Sequence, residues 1–348
     1  MSGFPTSVDE ITPAWLAEAI GHPVDGAEIE QIGAGIGVSS ALYRVRLTGS
    51  GCPETVVVKL PALSEEAVFT STVLRMYLRE AAFFTQLAHE APLRVPACHH
   101  STIDTETSQF VIVMEDLGEL RVVDQVKGME LADAEQAIDG LAAWHATWWG
   151  KALELAERGL TVSLGDPIYK AVLPMVFAEG WEKITKELSI PEAIQEVGPR
   201  WTDAMPGLLD DLATEPTTMT HGDWRADNLL FEPDGSVAAL DFQLIGTGRA
   251  TYDLAYFITQ SLDPADASKH EQALFERWRA AVEAAGVDPA DNATAWADYR
   301  KAALFCLVYP VVAWRGMDAG DPRQVDLATT MLDRFDRAVA ELDLTSLL

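Results

Sequence analysis

The sequence predicts an α+β fold in two parts, a β-rich first third and a larger, mainly helical remainder. Three observations predict it. Up to about residue 115 the chain alternates β-branched and polar residues between turn signals. After Gly118 long segments carry apolar residues at helical spacing. Nine of the ten tryptophans also follow Gly118. A length of 348 residues suits such a division, since domains run to about 100–200 residues each. We place the first part at 1–115 and the second at 116–348.

The elements follow in order. Thr12 and Pro13 open a short helix as N-cap and first helical residue, with Trp15, Leu16, Ala19 and Ile20 on one face. Residues 27–32 read as a strand. Tyr43, Val45 and Leu47 alternate with Arg44 and Arg46, as on a half-buried strand. A β-branched run at 55–60 contains Lys59 near its end. Leu74, Leu78, Ala81, Phe84 and Ala88 predict one long helix over 66–89. Two further strands are expected at 97–102 and 109–114. Helical patterns then occupy 129–149, 167–188, 200–213, 249–262, 266–285, 290–316 and 322–342. They are interrupted by a β-like island at 228–231 and 237–240, joined by the turn Pro233-Asp234-Gly235.

Charge excludes some functions. With 54 Asp and Glu against 25 Lys and Arg, the formal charge is −29, and a surface this acidic repels phosphate backbones and anionic headgroups. We therefore expect no nucleic-acid and no membrane partner. The excess is spread along the chain, −8 over 1–115 and −21 over 116–348. Cys52, Cys98 and Cys306 are too few and too widely spaced for a disulfide framework or a zinc knuckle, which fits a reducing cytoplasm. The N-terminus has neither a basic region nor an apolar core of the kind a signal peptide needs. The longest apolar run, 302–314, is interrupted by Pro310 and falls short of the ~20 residues of a membrane span. His145 lies on an amphipathic helix and reads as a buried, hydrogen-bonded structural residue. Cys306 reads as core.

Chemistry concentrates in His221-Gly222-Asp223-Trp224-Arg225-Ala226-Asp227-Asn228, followed thirteen residues after Asn228 by Asp241-Phe242-Gln243. Phosphoryl transfer needs a carboxylate beside an attacking hydroxyl and oxygen ligands for a magnesium ion on the phosphates. Asp223 can supply the first. Asn228 and Asp241 can supply the second, because a tight loop turns Asp223 and Asn228 toward one point and the β-turn-β island returns Asp241 beside them.

This pattern resembles the superfamily of aminoglycoside phosphotransferases, choline kinases and ecdysteroid-kinase-like small-molecule kinases, over nearly the whole chain from about residue 32. The resemblance implies a bilobal protein-kinase-like fold, a nucleotide-binding lobe at 1–115, and a helical lobe at 116–348 carrying the catalytic loop and acceptor site. It implies that Asp223 is the catalytic base, that Asn228 and Asp241 bind Mg2+, and that His221 and Asp253 support the loop. Lys59 would contact the ATP phosphates and pair with Glu80 on the following helix. Gly33, Gly35, Gly37 and Ser39 would cover the phosphates. As a dinucleotide fingerprint this glycine run fails, because Val38 stands where the third glycine should be and a strand follows. Glu115 and Leu117 would offer backbone groups to adenine. Trp224 and Arg225 are candidates for the acceptor pocket, with packing beneath the loop the other reading of Trp224.

The expected activity is ATP-dependent phosphorylation of a small-molecule hydroxyl. The alternative is a catalytically inactive pseudokinase that binds nucleotide or ligand. None of Lys59, Asp223, Asn228 and Asp241 is replaced, which disfavours it. A protein kinase is disfavoured by Gly222, where those enzymes carry arginine. For the acceptor, acidic walls favour a cationic or neutral molecule such as an amino-sugar or amino-alcohol, and the aromatic-rich helical part equally permits a hydrophobic alcohol.

Overall fold

A computed structural model describes residues 3–33 and 39–348, and the chain divides into two compact units. The first comprises 3–33, 39–90 and 95–120, and the second 91–94 and 121–348. The first unit runs a few residues past 115 because Asp116 is tied to strand residue Arg44, at 2.6 Å from Nε and 3.0 Å from Nη2. Residues 91–94 join the second unit through Arg94, which pairs with Glu232 and bridges to Ala238.

In the first unit, helix α1 (Pro13–Ile20) starts on the Thr12 side chain, which accepts from the Trp15 amide at 3.3 Å. Strands β1 (Gly26–Ile32), β2 (Ser40–Thr48), β3 (Thr55–Pro61), β4 (Cys98–Ile103) and β5 (Phe110–Glu115) form an antiparallel sheet in the order β1-β2-β3-β5-β4. Successive strand residues face opposite sides. Val56, Val58 and Leu60 therefore join Leu16, Val45, Val111 and Val113 in one core, while Lys59 faces the other way.

On that other side the single helix expected over 66–89 is broken. Helix α2 (Glu65–Val73) and helix α3 (Met76–Ala82) are separated at Leu74 and Arg75, and Arg75 adopts the left-handed conformation at φ 55°. The Arg79 guanidinium caps the break by donating to the Leu74 carbonyl at 3.0 Å. A π-helical turn, Phe83–Leu87, then ends the segment. Apolar spacing could not show the break, because the spaced residues Leu74, Leu78, Ala81, Phe84 and Ala88 all lie at or beyond it, and α2 buries only Ser71.

The second unit is mainly helical. Short strand β6 (Arg121–Val122) precedes α4 (Leu131–Trp148), α5 (Ala152–Glu157), β7 (Val162–Ser163), α6 (Pro167–Glu187) and α7 (Glu192–Leu212). The last of these starts eight residues before the expected 200 and contains Pro199 and Pro206. Its buried face of Ile194, Val197, Trp201, Met205 and Leu208 outweighs the prolines that read as boundaries.

There follow β8 (Thr218–Thr220), β9 (Leu229–Phe231), β10 (Val237–Ala239), β11 (Gly246–Gly248), α8 (Thr251–Ser261) and α9 (Pro264–Ala284). The helix expected over 290–316 is two, α10 (Ala295–Phe305) and α11 (Val308–Trp314), and α12 (Pro322–Glu341) ends the series. The strands form two small sheets, β10-β9-β6 and β7-β11-β8. Every residue of α8 is buried, which makes it the axis of this unit. No helix among the described residues is long and apolar enough to cross a membrane.

Candidate active site

The loop from β8 to β9 carries the residues in which the sequence concentrates candidate chemistry, and its backbone is held from several directions. Gly222 has φ 83°, and a Cβ there would lie 2.2 Å from the Leu244 carbonyl oxygen, so only glycine fits. The Gly222 amide donates to Asp253 Oδ1 at 2.8 Å and the His221 amide to Asp253 Oδ2 at 2.7 Å. The Gly222 carbonyl accepts from the Tyr309 hydroxyl. Asp253 sits on the buried helix α8, so one carboxylate fixes two consecutive peptide units of the loop.

His221 is fully buried against Trp224 at 5.4 Å and Phe242 at 5.2 Å between ring centroids. Burial pushes its pKa down, and its Nδ1 accepts from the Asp223 amide at 3.3 Å, so the neutral ring serves as a spacer under the loop.

Both carboxylate oxygens of Asp223 are engaged. Asn228 Nδ2 donates to Oδ2 at 2.7 Å and Arg225 Nε to Oδ1 at 3.2 Å. Burial raises the Asp223 pKa and the Asp241 carboxylate raises it further, against the Arg225 charge that lowers it. Asn228 also donates to the Asp223 carbonyl at 2.9 Å. Its amide nitrogen is thus spent on Asp223, which leaves Oδ1 as the oxygen for a metal.

Strand pairing returns Asp241 to this point. Ala239 pairs with Leu229, and the Leu240 amide donates to the Asn228 carbonyl at 2.9 Å, so Asp241 is the next residue beyond the hairpin. It has φ 65°, a conformation that asparagine and aspartate tolerate best among non-glycine residues. Gln243 Nε2 donates to Asp241 Oδ2 at 3.2 Å.

Asn228 and Asp241 offer oxygen donors, as Mg2+ requires, and Mg2+ takes the rest of its shell from water and phosphates. Among the described residues no group of three or more His, Cys, Asp or Glu is arranged to hold a metal by itself. The donor set therefore fits an ion shared with a nucleotide.

Of the two acceptor-pocket candidates, Trp224 is corrected to a packing residue. It is fully buried beneath the loop, because its ring has an apolar seat against His221 and Gly140. Arg225 keeps some exposed surface and bridges Asp223 to Asp227, whose Oδ2 it contacts at 2.7 Å.

In the first unit, Lys59 Nζ lies 2.7 Å from each carboxylate oxygen of Glu80, with both side chains buried. Register explains the meeting: Lys59 pairs with Leu42 and Ile112 in mid-sheet, and α3 presents Glu80 to the face opposite the Val56 and Val58 core. The Ser39 carbonyl accepts from the Tyr77 hydroxyl at 2.7 Å. Gly33 is described, with φ 65°, whereas Gly35 and Gly37 lie outside the described residues. The Glu115 amide is committed to the Ala97 carbonyl at 2.8 Å, so a backbone contact from Glu115 would use its carbonyl. Leu117 is buried and its carbonyl accepts from Leu120.

A profile of the phosphotransferase enzyme family matches residues 28–305. This chain belongs to that family. Among curated proteins none matches it. The family fold is seen in solved structures. A choline kinase from Cryptosporidium parvum Iowa II superposes with a TM-score of 0.59 at 11% identity, covering 92% of this chain and 91% of that one. A macrolide 2′-phosphotransferase from Brachybacterium faecium gives 0.51 at 20% identity, covering 91% and 96%. The GDP complex of a wild-type aminoglycoside 2′-phosphotransferase-IIIa gives 0.51 at 14% identity, covering 90% and 93%. These likenesses show the fold, the protein-kinase-like α+β architecture expected from the sequence.

The family member's loop also uses residues that the sequence did not single out. Asp227 accepts from Arg225 and, at Oδ1, from the Gln125 amide at 3.1 Å. The buried Arg334 of α12 in turn holds the Gln125 carbonyl at 2.7 Å and the Gln260 carbonyl at 2.6 Å. Tyr309 reaches Gly222 from α11. Asp227 lies inside the loop and was open to discovery there. Tyr309 and Arg334 act from far along the chain and carry no local signal.

Proposed function

We propose that this phosphotransferase is a kinase that uses Mg2+ and ATP to phosphorylate a hydroxyl group of a small molecule. The observation that carries the reading is Asp223, with one carboxylate oxygen fixed by Asn228 at 2.7 Å and with Asp241 delivered by the β9–β10 hairpin. Asn228 Oδ1 and Asp241 would hold the metal. When bound, Mg2+ would neutralise part of the charge on the nucleotide phosphates. Lys59, steadied by Glu80, would bind the α- and β-phosphates, and Ser39 and the glycine run would cover them. Glu115 and Leu117 would meet the adenine.

Asp223 would orient the acceptor hydroxyl and take its proton as the oxygen bonds to the γ-phosphorus and the bond to the β-phosphate oxygen breaks. Most of the rate gain would come from positioning and charge neutralisation. The raised Asp223 pKa suits a base that must accept a proton. All three cysteines are free thiols, which supports the reducing cytoplasm as the working compartment.

The test is a mass-shift screen of pooled hydroxylated metabolites with Mg·ATP, run in parallel with Mg·GTP because a neighbour of the same fold was solved with GDP. An 80-dalton-scale gain on one acceptor, about one phosphoryl group, supports the reading. Nucleotide binding with no transfer to any alcohol would turn it toward a pseudokinase.

A further inference from the structure

One fully buried titratable side chain has no part in the chemistry above. His145 of α4 lies among three helices with no exposed surface. Both its ring nitrogens are spent directionally. Nδ1 accepts from the indole Nε1–H of Trp278, on α9, at 3.0 Å. Nε2 lies 3.1 Å from Asp253 Oδ2, on α8. An indole N–H can only donate, so the nitrogen it meets carries no proton. The ring is therefore neutral, with its proton on Nε2, and donates to Asp253.

The consequence reaches the loop. Asp253 Oδ2 accepts from both His145 and the His221 amide, and Oδ1 from the Gly222 amide. All three neighbours are donors, which holds the carboxylate in one orientation. In the other tautomer a lone pair of His145 would face a carboxylate lone pair, and the carboxylate would turn from the two amides. A side chain present only to fill this space would need no polar atoms, and an apolar one would avoid burying them.

We propose that His145, locked in its Nε2-protonated form by Trp278, is a positioning residue for the catalytic loop, acting through Asp253 on the peptide units that precede Asp223. The relay runs Trp278, His145, Asp253, then the His221 and Gly222 amides. Its kinetic consequence rests on the reading of Asp223 as the base. Its structural consequence does not.

The experiment uses the full chain, with Trp278→Phe removing the indole donor and retaining an aromatic ring. His145→Gln retains a donor toward Asp253 and His145→Leu removes it. Nitrogen-15 imidazole spectra, with the His145 signals assigned by their loss in His145→Gln, should show the Nε2-protonated tautomer alone in the wild type and a mixture in Trp278→Phe. Hydrogen exchange at the His221 and Gly222 amides should quicken in Trp278→Phe and His145→Leu and stay near wild type in His145→Gln.

On an acceptor that turns over, kcat should fall about 10–100-fold in His145→Leu with the nucleotide KM unchanged, and His145→Gln should restore most of it, the scale seen when a supporting hydrogen bond is lost. A wild-type His145 protonated on Nδ1, or exchange at both amides unchanged in Trp278→Phe, overturns the relay. If the wild type transfers phosphate to nothing, the functional reading fails while the spectra and the exchange rates still decide this one.

Discussion

Asp223 is the residue on which the account turns, and its environment has a measurable cost. Burial and the neighbouring Asp241 raise its pKa despite the Arg225 charge. A carboxyl whose folded pKa is raised binds its proton more tightly in the native state. Its contribution to stability is then fully present below the unfolded value near 3.8 and is lost as pH rises through the folded value. Relative to Asp223→Asn in metal-free buffer, the wild type should therefore lose stability as pH rises from 3.5 toward neutrality, on the order of the titration range of one carboxyl. Thermal melts of both proteins at a series of pH values check the sign, and a gap that widens in the opposite sense contradicts it. Gly222 is constrained in a different way. Gly222→Ala must place a Cβ against the Leu244 carbonyl oxygen in a left-handed conformation, so it should cost about 1–3 kcal/mol or more in urea melts and lower turnover further by displacing Asp223.

At the scale of elements, the β3–α3 pair shows how far a sequence reads and where it stops. The β-branched run was enough to place Lys59 near the end of a strand, and Glu80 on the following helix was within reach of inference; which side of the sheet Lys59 faces came from the structure. The break at Arg75 was not, since it rests on one residue in the left-handed conformation, which apolar spacing does not mark. The same holds for α10 and α11, whose junction at Cys306 and Leu307 lies inside one continuous apolar run. The loop His221–Asn228 was legible because its residues are close in sequence. The groups that hold it were legible only in part: Asp253 through its motif, but Tyr309, Arg334 and Trp278 not at all, because they come from distant helices brought close by packing. The ion pair yields its own prediction. Lys59→Met removes the ammonium that the buried Glu80 carboxylate meets and should destabilise the first unit by about 3–5 kcal/mol. Lys59→Met combined with Glu80→Leu should recover most of that stability in denaturant melts and none of the phosphoryl transfer. Recovery of both would assign the pair a purely structural role.

For the whole molecule, a net charge of −29 and a proposed anionic nucleotide are compatible only if the charge is organised locally. The acidic residues around the loop are already committed: Asp227 to Arg225, and Asp124 to Arg323 at 2.7 Å. The net charge therefore overstates what a ligand at the loop would meet, and a divalent cation held by Asn228 and Asp241, as proposed, would offset it further. Removal of Mg2+ with a chelator should abolish transfer and leave the far-ultraviolet circular dichroism spectrum unchanged. The acceptor is the part of the function that neither family membership nor fold supplies, since the same architecture serves choline kinase and macrolide phosphotransferase alike. Once the screen supplies an acceptor, the most direct test is the turnover of Asp223→Asn on it, with folding checked by circular dichroism. Loss of transfer by about 10²–10⁴-fold in a folded protein is the result expected of a missing general base. Wild-type turnover in that variant would contradict the assignment of Asp223.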